Sequence, residues 1–287
     1  MSWLFPYPGG KSIIADDIVA LLPPHRCYVE LFAGSAAVLL AKKSRSEVEV
    51  LNDLDKDIVH LFRVLRDAGS MEPVFQRLYT LLDFTPMARS VYDEWRIAWS
   101  NGKRPQDPIE WAAQWYFIKC CSINGKGGWT HSHEDDKAGQ WRLHVARLRR
   151  AVERLKLVTV EEHDFADVIS AYDGPNTCFY VDPPYMGVRD VDDYYPGAPH
   201  MDISRHEELA MLLNQLRGKA IVSYYPHESL DTLYPKDRWE WHRIMVKKMA
   251  QGATDGSVKD SAEELLLLNY SAYPLFKWGG LEADAYV

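Results

Sequence analysis

The sequence predicts an α/β fold around a mostly parallel sheet, and three features of its 287 residues predict it. Short β-branched or aromatic runs towards both ends of the chain are each followed by a stretch of helical periodicity, the pattern of βα units in a parallel sheet. Between about Thr85 and Arg150 that rhythm stops, so the sheet carries a mainly helical insertion. The last two strand signals, Trp239 to Val246 and Glu264 to Tyr270, follow one another with no helix between them, which makes the final strand antiparallel.

Taken in order, the chain opens with Pro6-Tyr7-Pro8-Gly9-Gly10-Lys11, a glycine turn ahead of a helix-like Ser12 to Leu22. Cys27 to Leu31 is the first strand, and the small-residue turn Phe32-Ala33-Gly34-Ser35 leads into a helix over Ala36 to Lys43. Glu47 to Asn52 is the second strand, followed by a helix over Lys56 to Arg66. Six of the ten tryptophans and 11 Lys+Arg against 7 Asp+Glu fall within residues 85–150, so the insertion is basic in a chain whose total charge is −8. It includes a Gly-rich loop at 124–128. Strands resume at Leu157 to Glu161 and Cys178 to Asp182, then come a helix over Arg205 to Leu216 and a strand over Lys219 to Tyr225. The polar stretch Met249 to Ala262 reads as a mobile connection between the last two strands.

Composition narrows the class. Hydrophobic residues at 47% and charged residues at 26% supply a real core and exclude a mainly disordered chain. The excess of acid excludes a protein that coats nucleic acid indiscriminately but leaves room for a local basic groove. Cys27, Cys120, Cys121 and Cys178 show no paired spacing, so neither a disulfide framework nor a metal site is expected, and a reducing cytoplasm fits. No signal pattern and no membrane-spanning apolar run is present.

Ligands of open α/β sheets bind beyond the carboxyl ends of the strands, so the residues after each strand carry the chemistry. Gly34 and its small neighbours let a ligand approach the backbone, or simply make a tight βα turn. Asp53 follows Gly34 at the offset of an acid that holds ribose hydroxyls, or else caps the next helix. After the fourth strand comes Asp182-Pro183-Pro184-Tyr185. Two prolines fix φ and donate no N–H, so the turn aims carbonyl oxygens beside a carboxylate. Such a pair of acceptors takes both hydrogens of an aromatic exocyclic amine and favours the pyramidal form that attacks an electrophile, while Tyr185 stacks on the ring; the bland alternative is a proline-rich surface loop. The N-terminal turn ending in Lys11 offers backbone N–H groups and a cation to an anion, without the spacing of a Walker loop.

In combination, PYPGGK at 6–11, YVELFAGSAAV at 28–38, LNDLD at 51–55, HDF at 163–165, DPPY at 182–185, RHEELA at 205–210 and ELLLLNY at 264–270 resemble the DNA adenine methyltransferase (Dam) family over nearly the whole chain. The resemblance implies a Rossmann-like methyltransferase sheet at 1–66 and 156–287, with a DNA-recognition subdomain inserted at 67–155. It implies S-adenosylmethionine flanked by Tyr7, Gly10 and Lys11, with Glu30, Phe32, Ala33 and Gly34 along its methionine part. Asp53 would hold the ribose, Asp164 and Phe165 the adenine, and Asp182 would stand between donor and target amine. The substrate would be double-stranded DNA, with one adenine rotated out and methylated at N6 without a metal, by a monomer or weak dimer. Where Ala36 stands the family usually has a Gly or small polar residue, and its N-R-x-G-x-F-N loop survives only as residues 121–128, so base preference does not carry over.

The DNA contacts are expected from Lys103, Arg104, Lys119, Asn124, Lys126, Trp129 and Arg142, with His131, His133, Arg147, Arg149 and Arg150 nearby; a solvated helical face is the alternative. An RNA adenine or cytosine-N4 enzyme and a silent DNA-binding regulator of the same fold are the competing functions.

Overall fold

The computed structural model describes residues 4–123, 125, 127–186, 201–247 and 261–272. Along the chain run α1 (Ala15–Leu21), β1 (Cys27–Glu30), α2 (Ala37–Ala41), β2 (Val48–Asn52) and α3 (Lys56–Ser70). Then come α4 (Glu72–Phe84), α5 (Arg89–Ser100), α6 (Pro108–Cys120), the short strands β3 (Ser122–Ile123) and β4 (Gly127–Trp129), and α7 (Lys137–Leu155). The remainder is β5 (Thr159–Glu161), α8 (Phe165–Tyr172), β6 (Thr177–Val181), α9 (Ile203–Leu213), β7 (Lys219–Tyr224), α10 (Leu230–Leu233), β8 (Glu240–Lys247) and β9 (Ser261–Leu268).

Seven strands form one sheet in the order β5-β2-β1-β6-β7-β9-β8. Pairs among the first five are parallel, and β9 runs antiparallel to both β7 and β8, as expected for a Rossmann-like sheet with a reversed last strand. All five residues of β6 are buried, which a strand covered on both faces requires. β1 pairs on one side with β2 and on the other with β6, so connections leave it in opposite directions and open a crevice at its carboxyl end.

Alternate residues of the strands feed two apolar clusters. Tyr28, Leu51, Tyr180, Ile221 and Leu266 face a layer that contains residues of α1 to α7, whereas Val29, Val50, Phe179, Val222 and Leu267 face α8, α9 and α10. The insertion therefore shares the core of the sheet. Its helices pack on α3, which is capped by Asp55 through N–H donation from Asp57 and Ile58 and buries residues on most of its circumference. The boundary expected between residues 66 and 67 falls inside this helix, because α3 continues to Ser70. α6, capped by Asp107 with Pro108 at its first position, is buried almost all round and forms the centre of the insertion.

Other ends also shift. The first helix begins at Ala15 and not at Ser12, and α9 spans Ile203–Leu213, starting where Asp202 accepts the Arg205 N–H. The connection expected to be mobile at 249–262 lies outside the described residues up to 260; Ser261 and Ala262 already belong to β9. Among the described residues the cysteines are free, no helix is long and apolar enough to cross a membrane, and no cluster of three or more His, Cys, Asp or Glu side chains could hold a metal ion.

Candidate active site

The carboxyl ends of β1, β2 and β6 border a cleft, about 980 Å³ with the open solvent at its mouth included, together with the N-terminal turn and the segment around His163. Tyr7, Gly10, Lys11, Glu30, Phe32, Ala33, Gly34, Asp53, Phe165, Asp182, Pro184 and Tyr185 all line it. Residues read from separate turns of the sequence thus meet at one place. The exceptions are Pro183, which is buried, and Asp164.

The turn after β1 is held by its neighbours. Gly34 has φ +47°, and a Cβ there would lie 2.9 Å from the Tyr7 ring, so this position needs glycine both for its backbone and for the approach of Tyr7. Asp53 accepts the Gly34 N–H at 2.9 Å through Oδ2 and the Asp55 N–H at 2.9 Å through Oδ1. The helix cap is Asp55, so the alternative role of Asp53 as a cap is excluded. Burial raises the Asp53 carboxyl above its ordinary value against these N–H donors. Two bonds leave a carboxylate further lone pairs for a ligand's hydroxyls.

Glu30 is buried with its Oε1 accepting from the Tyr28 hydroxyl at 2.8 Å and the Leu39 N–H at 2.5 Å. It supplies from the sheet the cap that Ala36, at φ 53°, does not give α2. Burial pushes its carboxyl up to about 7, with the Tyr28 and Leu39 bonds acting against that.

At the far end, Asn52 is bonded to both sides. Its Nδ2 donates to the carbonyls of Leu31 at 3.0 Å and His163 at 2.9 Å, and its Oδ1 accepts the His163 N–H at 3.0 Å. Asp164 caps α8 through the Ala166 N–H and pairs with Arg205, whose guanidinium lies 4.3 Å from the centroid of the Phe165 ring. The cleft wall here includes His163, Phe165 and Arg205, and Asp164 stands behind it as the partner of Arg205.

The Lys11 ammonium corrects a second expectation. It is buried, 2.8 Å from Asp182 Oδ2 and 3.6 Å from Glu264 Oε1, and it donates to the Gly9 carbonyl at 2.7 Å. Two carboxylates therefore neutralise the cation assigned to an anion. Burial alone would lower its pKa, but Asp182 and Glu264 outweigh burial and raise it. Asp182 itself is pushed up to about 6 by burial, against the pull of Lys11 and with the repulsion of Glu264. Tyr185 is 8% exposed; its hydroxyl donates to Glu264, and its ring stands edge-on to Tyr225 at 4.5 Å. Glu264 and Arg205 lay inside quoted motifs without a role, and the signal that marks Glu264 is a charge directly at the head of the apolar run Leu265 to Leu268.

The expected DNA contacts separate into groups. Arg104 is taken up internally: it pairs with Asp57 at 2.7 Å and stacks on Trp99 at 4.2 Å, and Asp57 also accepts the indole N–H groups of Trp99 and Trp111. Lys119 is partly buried beside Tyr7 and Trp115 and donates to the Gly125 carbonyl at 3.3 Å; burial lowers its pKa against the attraction of Asp55 and Asp57. Both readings as surface phosphate contacts are corrected. Arg142 is exposed but bound to Asp83 at 3.1 Å, and Arg149 to Glu72 at 2.8 Å, so these two join α7 to α4. Trp129 packs on Tyr92. Lys103, Arg150, His131 and His133 are exposed, Arg147 is partly exposed, and Asn124 and Lys126 lie outside the described residues.

The DNA adenine methylases of Escherichia coli strains K12 and O157:H7 are each 21% identical over 271 residues, covering 91% of this chain and 93% of theirs. Among solved structures, an rRNA methylase from Streptococcus thermophilus is 9% identical, covers 90% of this chain and 94% of its own, and gives a TM-score of 0.37. A conserved hypothetical protein from Streptococcus pyogenes gives 10%, 92% and 96% with a TM-score of 0.33, and both likenesses are too loose to bear on function. Residues 7–249 match the family described as D12 class N6 adenine-specific DNA methyltransferase. With its motifs gathered at the carboxyl edge of a mostly parallel sheet, the chain belongs to that family of enzymes, which transfer a methyl group to adenine in DNA.

Proposed function

We propose that the cleft binds S-adenosylmethionine and receives a single adenine rotated out of double-stranded DNA, with Asp182 orienting its N6 amine. The observation that carries this reading is that Asp182, Pro184 and Tyr185 share one cleft with Gly34 and Asp53. The residues fit the cofactor chemically. Asp53 keeps acceptor capacity for two ribose hydroxyls, and Phe32 and Phe165, 6.0 Å apart between centroids, give an aromatic wall for an adenine. When bound, S-adenosylmethionine supplies an electrophilic methyl group on a positively charged sulfur.

The chain's part is to select and orient the nucleophile. Accepting an N6 hydrogen at Asp182 returns lone-pair density from the purine ring to nitrogen, an electrostatic contribution worth about 3 kcal/mol. Extrusion of the base costs a few kcal/mol, which aromatic surface at Tyr185 offsets in part. Among the expected contacts, Lys103 and Arg150 are exposed on the described surface and available to phosphates.

The test is expression in a host without adenine methylation, followed by direct mapping of N6-methyladenine, with Asp182→Asn as control. Modified adenines at a fixed sequence with the parent protein and none with the variant support the reading. Methylation at the parent rate by Asp182→Asn refutes it.

A further inference from the structure

We propose that Glu264 is a positioning residue that holds Lys11 when Asp182 turns to the target amine. The inference rests on the role given to Asp182 above. Lys11 is buried between the two acids, its Nζ 2.8 Å from Asp182 and 3.6 Å from Glu264, so in the free protein the ammonium occupies the carboxylate that must accept an amine hydrogen. An amine that approaches Oδ2 competes with the ammonium already there. If Asp182 were the sole partner, releasing it would strand a buried cation, which is a costly state. Glu264 removes that cost because a small movement of one ammonium exchanges the partners.

Glu264 is built for this position. It is buried on β9, opposite Ile244 of β8, and accepts the hydroxyls of Tyr185 and of Ser223, the latter at 2.5 Å. These bonds fix its carboxylate and, through Tyr185, tie it to the same turn as Asp182. Lys11 is in turn anchored at the Gly9 carbonyl and lies 4.9 Å from the centroid of the Tyr185 ring, so it stays within reach of both acids. The titratable groups facing Lys11 are Asp182, Glu264, Tyr185 and Tyr225; those facing Asp182 are Lys11, Glu264, Tyr180, Tyr185 and Tyr224. Lys11 is the cation of the group, so its position decides which acid is neutralised.

Glu264→Gln tests the idea while keeping an acceptor oxygen for both hydroxyls. In the full-length enzyme we expect kcat on saturating DNA at pH 8 to fall about tenfold or more, because Lys11 then stays on Asp182. The acid limb of kcat/KM should move to lower pH, since burial still raises Asp182 but the added repulsion of Glu264 is gone. Calorimetric binding of S-adenosylmethionine should be unchanged. A purely structural role would lower the active fraction without moving the limb, so an unmoved limb or an unchanged kcat overturns the proposal. Lys11→Met reads the same coupling from the other side, should the Gln variant fold poorly: its limb must move to higher pH, and a limb that stays or falls counts against the proposal. If Asp182→Asn is inactive while the Glu264→Gln limb is unmoved, only the role of Glu264 fails; if Asp182→Asn retains methylation, the underlying reading fails.

Discussion

Replacing Asp57 by Ala separates structural cations from DNA-binding ones. Asp57 accepts four hydrogen bonds, from Trp99 Nε1 at 2.9 Å, Trp111 Nε1 at 2.7 Å, and Arg104 at 2.9 Å and 2.7 Å. Its side chain is 14% exposed and that of Arg104 26%, so the pair is only weakly screened. Removing one partner of such a pair, and leaving two indole donors unsatisfied, costs about 3 kcal/mol. At about 2 °C per kcal/mol for a chain of this size, the unfolding midpoint should fall by about 6 °C. Arg104→Ala should lose part of this, about 4 °C, since the indoles keep their acceptor. Differential scanning calorimetry measures both. The salt dependence of DNA affinity for Arg104→Ala should keep its slope, because no phosphate contact is lost. An Arg104→Ala protein that melts within about 1 °C of the parent, and whose salt slope drops by about one, would refute the staple and restore Arg104 to the DNA.

Three further outcomes are expected. Asp182 must be ionised to accept an amine hydrogen, and its carboxyl is pushed up to about 6, so kcat/KM should be lost as pH falls through about 6; a pH profile flat down to pH 5 would contradict this. Glu30 is raised to about 7 from 4.5, so the unfolded chain ionises first as pH rises. The folded state therefore loses stability between about pH 4.5 and 7, by up to about 3 kcal/mol, and Glu30→Gln should raise the melting midpoint at pH 8 but not at pH 4.5. Gly34→Ala forces a left-handed alanine against the Tyr7 ring, which should weaken binding of S-adenosylmethionine about tenfold by calorimetry, and an unchanged Kd would show that the turn is not part of that site.

The sheet was legible because its signals are local. Short apolar runs such as Cys178 to Val181, the turn at Gly34 and the acid and prolines after β6 each announce themselves within a few residues, and strand ends of a parallel sheet converge by construction. The span of α3 was less legible. Its apolar pattern runs past Arg66 into the insertion, and the helix stops only at Ser70, beyond the expected boundary.

The sequence by itself determined most of the residues that stand at the cleft, since a strand's end and the turn after it are set by near neighbours. Only the tertiary structure decided what their charges do. Lys11 meets Asp182 and Glu264, and Arg104 meets Asp57, across separations that no periodicity records. A cation in the sequence reads as free, whereas in the fold desolvation compels it to find an acid, and the acid it finds is set by the packing.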